Sequence, residues 1–142
     1  MTKRSTTLLV LALLAGLLAV PAGAQTDERT RVLNAPADRV WVVTRSTLKS
    51  LGWDIDKEDR DIGWILTKSK RLEGDDFGVY AKGTKQRLRL VIKPVDQSRT
   101  QMTVERRVWK EERILWMDKE EELPLRDHAV EKQVLDAITT AL

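Results

Sequence analysis

Cysteine is absent from the chain and histidine occurs once, at position 128. The first absence excludes disulfides, thiolate nucleophiles and sulfur-ligated metals together, and it removes the lipid attachment that bacterial lipoproteins carry behind an apolar leader. The second leaves any catalytic triad or histidine-metal cluster only one imidazole to use. Aromatic residues are scarce apart from one type, a single Phe and a single Tyr standing beside five Trp. No long apolar run is present either: Thr6–Val20 is shorter than the roughly 20 residues that a membrane-spanning helix needs.

That short run has the flanks of an export signal. Lys3 and Arg4 precede it and the small residues Ala22-Gly23-Ala24 follow it, so cleavage is expected between Ala24 and Gln25. Residues 1–24 are therefore assigned to a signal peptide and residues 25–142 to a single domain. The expected product is periplasmic or secreted and not an integral membrane protein after cleavage. Charge of one sign is also lacking: subtracting the two basic leader residues from 25 Lys and Arg leaves 23 against 22 Asp and Glu. Such a balance gives no basic footprint for a nucleic-acid partner. Without disulfides the domain depends on its apolar core. A chain of about 118 residues buries roughly two-thirds of its unfolded surface and can supply one.

The most legible element is a helix within Ala35–Trp53. Val40, Val43, Thr44, Thr47, Leu48 and Leu51 share one stripe, while Asp38, Arg39, Arg45, Ser46 and Lys49 fall opposite. Pro36 suits the first helical position and Gly52 the left-handed stop. A short strand at Arg31–Asn34 precedes it. After it come an extended piece at Trp53–Asp56, a polar turn at Lys57–Asp61, and a strand with Ile62, Trp64 and Leu66 on its apolar face. Ser69–Lys85 is irregular, with a strand stub expected near Val79–Lys82. Leu88, Leu90 and Ile92, then Met102, Val104 and Val108, alternate across a turn at Pro94–Arg99 to make a hairpin. Ile114–Met117 is an apolar island amid charge and reads as a last strand near an edge. Asp127 is placed as the N-cap of a terminal helix striped by Val130, Val134, Ala137, Ile138 and Ala141. The expected fold is α+β, a single antiparallel sheet of four to five strands with two helices on one face, in the order β-α-β-β-β-β-α.

Three segments, Ala35-Pro36-Ala37-Asp38-Arg39-Val40-Trp41, Leu51-Gly52-Trp53 and Asp59-Arg60-Asp61-Ile62-Gly63-Trp64-Ile65, resemble the domains of BamC, a lipoprotein of the bacterial outer-membrane protein assembly machinery. The resemblance spans roughly Val32–Leu66 and implies the fold, an envelope setting and no catalytic residue. The helix opening is also similar to START-like helix-grip proteins, a resemblance that implies a cavity for apolar ligands under the last helix.

No nucleophile elbow surrounds Ser46, Ser50, Ser69 or Ser98, and Gly74, Gly78 and Gly83 are too scattered for a phosphate loop. No enzyme and no cofactor is expected. His128 and Glu131 are spaced to meet on a helix surface, but lack further ligands for a metal. Trp41, Trp53 and Trp64 are assigned to the core or its rim. Trp109 shares a strand face with Gln101, Thr103, Glu105 and Arg107 and is expected to face solvent or a partner. Arg106 falls between Val104 and Val108 on the apolar face, which calls for a bulge at Arg106-Arg107, an edge position, or a pocket mouth binding an anionic head group. Trp109, Arg107 and Arg106 are thus the candidate interaction or ligand residues. The expected function is a non-catalytic envelope protein that contacts another envelope protein; the alternative is a carrier or sensor of a small amphipathic molecule.

Overall fold

The computed structural model describes residues 27–72 and 81–142. The expected export signal and the Val79-Tyr80 half of the expected strand stub lie outside the described residues. In chain order the elements are β1 (Thr30–Leu33), α1 (Ala37–Ser50), β2 (Ile55–Asp59), β3 (Trp64–Thr67), β4 (Lys70–Leu72), β5 (Ala81–Pro94), β6 (Thr100–Ile114), β7 (Met117–Glu122) and α2 (Ala129–Ala141). They form an α+β fold with one antiparallel sheet of seven strands and two helices, so the expected class is correct and the expected four to five strands are too few.

The long β5–β6 hairpin is the spine of the sheet. Its register is continuous from Gly83↔Glu111 to Pro94↔Thr100, and it places Leu90 opposite Val104 and Ile92 opposite Met102. Shorter strands line both flanks of this spine. On the β5 side, β3 pairs with Arg89–Val91 and β4 with Thr84–Gln86; on the β6 side, β1 pairs with Thr100–Thr103 and β7 with Trp109–Ile114. β2 closes the β3 edge.

One face of this sheet carries the core. Leu88, Leu90, Ile92, Met102 and Val104 meet Val40, Trp41 and Leu48 of α1 and Val134, Leu135 and Ile138 of α2, all buried in one cluster. Helix α1 follows its expected stripe, with Thr44 and Thr47 also buried. Its start differs by one residue: Pro36 is the N-cap, extended at ψ 151°, and not the first helical residue. Its end is a Schellman closure, in which Gly52 N–H donates to the Lys49 carbonyl at 3.0 Å and Trp53 N–H to the Leu48 carbonyl at 2.8 Å. Gly52 has φ 73°, which only glycine adopts without strain. Lys70 supplies a cation there, its Nζ donating to the Leu51 carbonyl at 3.3 Å and lying 4.1 Å from the Trp53 ring centre.

Strand β3 corrects the expected parity. Ile65 and Thr67 are buried against the helices, whereas Trp64 and Leu66 lie on the opposite face and Ile62 is exposed in the turn before it. The pairing of Ile65 with fully buried Leu90 fixes this choice, since slipping by one residue would bury the other set. Thr67 is tolerated inside because its Oγ1 accepts a 2.9 Å hydrogen bond from Leu88 N–H. The turn before β3 is also later than expected: Lys57–Asp59 belong to β2, and the chain reverses at Arg60–Gly63. Gly63 is required there. Its φ is 82°, and a Cβ would stand 2.2 Å from the Ile92 carbonyl oxygen.

Helix α2 begins one residue later than expected. His128 is the N-cap, and Asp127 Oδ1 instead accepts from Ala129 N–H at 3.0 Å. Its buried residues are Glu131, Val134, Leu135 and Ile138, so the stripe is rotated from the expected one and includes a carboxylate. Among the described residues no helix is long and apolar enough to cross a membrane.

Candidate functional site

Arg106 keeps strict alternation and needs no bulge. The ladder runs through it without a shift, Leu88 opposite Arg106 and Arg87 opposite Arg107, and its only irregularity lies between Ala81 and Gly83. The side chain therefore enters the space between the sheet and the start of α2, where it is 11% exposed. Its Nη2 donates to the Asp127 carbonyl at 3.1 Å and lies 3.7 Å from the Asp127 carboxylate. Its Nε lies 3.4 Å from Glu131 Oε2. Glu131 is fully buried, and its Oε1 is 3.1 Å from His128 Nδ1. The anion facing Arg106 is thus the chain's own, and the guanidinium is not an unpaired charge at a pocket mouth. His128 and Glu131 meet as their spacing predicts. Among the described residues, however, no three His, Cys, Asp or Glu side chains are grouped to hold a metal. Arg106 does line a surface cleft of about 320 Å3, together with Leu72, Val108, Leu123 and Leu125.

Trp109 corrects the expectation differently. It lies on the sheet face away from the helices, as alternation requires, yet it is only 4% exposed. The guanidinium groups of Arg87 and Arg107 stand 5.5 and 5.2 Å from its ring centre, and its Nε1 donates to Glu111 Oε1 at 3.3 Å. Arg87 and Arg107 are direct cross-strand neighbours, an arrangement of like charges that is destabilising by itself. The electron-rich ring beneath both offsets that repulsion, each cation–π contact contributing about 0.5–1 kcal/mol. Ion pairs extend the cover, Arg107 with Glu122 at 3.4 Å, Lys85 with Glu111 at 2.8 Å and Arg89 with Glu105 at 3.3 Å. Trp109 is therefore a pillar beneath a charged lattice and not an exposed anchor.

The exposed apolar group lies farther along the same strand. Ile114, Leu115, Trp116 and Met117 are 45, 74, 80 and 60% exposed. The island expected to be a strand is in fact a hairpin tip: Ile114 pairs with Met117, and Leu115-Trp116 is the two-residue turn between β6 and β7. Leu115 has φ 58° and is the one non-glycine residue with positive φ among the described residues. A turn whose first central residue alone has positive φ is of the II′ pattern, where glycine is the usual occupant. Leucine there strains the backbone, a condition that concentrates at functional sites.

Neither solvent-exposed face of β7 has an apolar period, so the hairpin is invisible to a search for hydrophobic alternation. A different signal was present. Three of the four charged pairs across the turn are complementary, Arg113 opposite Asp118, Glu112 opposite Lys119 and Lys110 opposite Glu121, the exception being Glu111 opposite Glu120. Such cross-strand pairs support a register. No protein-family model matches the chain, and no curated protein is significantly similar to it in sequence.

Proposed function

We propose that this chain is an exported, non-catalytic protein-interaction module of the bacterial envelope, BamC-like in its use, and that it meets its partner through the β6–β7 hairpin. One observation carries the reading: four consecutive apolar side chains, Trp116 among them, project at the tip of a two-stranded turn instead of covering the core. Exposed contiguous apolar groups rimmed by polar residues are a common mark of interaction surfaces, and tryptophan is a preferred anchor. Placing the contact at Trp116 moves it along β6 from Trp109, whose ring is already covered.

A photo-reactive side chain at position 116, introduced in the intact source cell, tests this. A protein adduct is expected from 116 and not from exposed Val42 on α1. No adduct from 116 at normal expression overturns the reading. The amphipathic-ligand reading has the Arg106 cleft in its favour, against which stands a guanidinium already matched by Glu131 and Asp127. Saturable binding of lysolipid, lost in Leu125→Asp, would support it instead.

A further inference from the structure

We infer that the hairpin tip seats in an apolar socket on a partner protein whose rim is basic. The inference rests on the interaction reading above and names the chemistry of the partner. It has two independent grounds, the stiffness of the tip and the charge of its neck.

The tip is held rather than dangling. Ile114 pairs with Met117 directly across a two-residue turn, so the backbone that carries the four apolar side chains is closed by a strand pair. Pre-ordering of this kind favours a shaped protein pocket, because it lowers the entropy lost on docking. A fluid bilayer has no shape to match and gains little from it.

The neck is acidic, whereas the rest of the expected mature chain carries 20 Lys and Arg against 16 Asp and Glu. Residues 109–122 carry six carboxylates, Glu111, Glu112, Asp118, Glu120, Glu121 and Glu122, against the three cations Lys110, Arg113 and Lys119. Four of the carboxylates are paired, Glu112 with Lys110, Asp118 with Arg113, Glu111 with Lys85 and Glu122 with Arg107. Glu120 and Glu121 are exposed on β7 just behind the tip. A surface that receives the tip must pass close to these carboxylates. An anionic leaflet repels them and so does a second copy of the same neck, whereas a basic rim attracts them and speeds encounter.

The test uses the full exported chain with the photo-reactive group at 116, in two backgrounds. In the first background the neck is native; in the second it carries Glu120→Lys and Glu121→Lys, two exposed positions whose change leaves the core untouched. The expected result is one predominant adduct with the native neck, at least tenfold weaker after charge reversal. The partner so identified, once purified, should bind the native chain less tightly as salt is raised and at least tenfold less tightly after Trp116→Ala. An adduct of equal yield in both backgrounds overturns the basic rim while leaving the interaction reading intact. Loss of any adduct, with the chain folded and exported, removes both. Co-sedimentation with phosphatidylcholine or phosphatidylglycerol vesicles that depends on Trp116, without a protein adduct, assigns the tip to a bilayer and overturns the inference. Trp116-dependent dimerisation in sedimentation velocity assigns it to a second copy and does the same.

Discussion

Glu131 is an acid with no solvent, buried where a helix stripe calls for an apolar side chain. It persists because Arg106 reaches it from the sheet and His128 from the preceding turn, joining α2 to the spine through charge as well as packing. Removing one member of such a pair leaves a buried uncompensated charge, and the cost is typically about 3–5 kcal/mol. Glu131→Ala and Arg106→Ala are each expected to lower stability by about 3 kcal/mol or more in urea denaturation. The double variant Arg106→Met with Glu131→Leu should lose less than either single change, since it removes both charges together. Strict additivity in that cycle would show that the two groups do not act as a unit. At the opposite end of the sheet, Asp96 illustrates an exposed case. The backbone N–H of Ser98 and then the Arg99 guanidinium hold its pKa at about 2, below the ordinary 3.8. A carboxylate lowered on folding stabilises the native state above its unfolded pKa, and that contribution is lost as pH falls from about 4 to about 2. Asp96→Asn, which keeps an oxygen for Ser98 N–H, should therefore flatten the acid limb of the stability profile in that window. An unchanged limb would remove Asp96 as a contributor.

The β6–β7 hairpin combines a strained turn with an exposed apolar tip, and the two features can be separated experimentally. A left-handed conformation costs a non-glycine residue roughly 1–2 kcal/mol, so Leu115→Gly should raise stability by about 1 kcal/mol. It should also weaken adduct formation from position 116. A stability gain with no loss of capture would mean that leucine has no role in binding. The elements differ in how far residue pattern revealed them. Helix α1 was legible because Val40, Thr44, Thr47 and Leu48 follow one period and Gly52 marks its end. Strand β3 was legible as a strand but not in its facing, since Ile62-Trp64-Leu66 is as apolar as Ile65-Thr67 and only the pairing with β5 decides between them. Strands β2 and β7 bury almost nothing, so alternation could not announce them. For Trp109 the outward direction was legible and the burial was not, because two arginines from separate strands close over the ring.

Across the whole molecule, packing is uneven along the spine. The stretch Leu88–Ile92 with Met102–Val104 lies under both helices, whereas β7 and the tip are exposed throughout. Amide exchange is expected to follow that gradient, slowest at Leu90, Ile92 and Val104 and faster by orders of magnitude across Met117–Glu122. Uniform protection along β6 would contradict it. The same strand nevertheless runs unbroken from the core into the hairpin, so the tip is tied to the core by one continuous strand. On the proposed reading, evolution can retune what the molecule grips by rewriting four codons at the turn, while the residues that keep it folded stay as they are. Binding preference and foldability would then occupy separate stretches of one continuous ribbon.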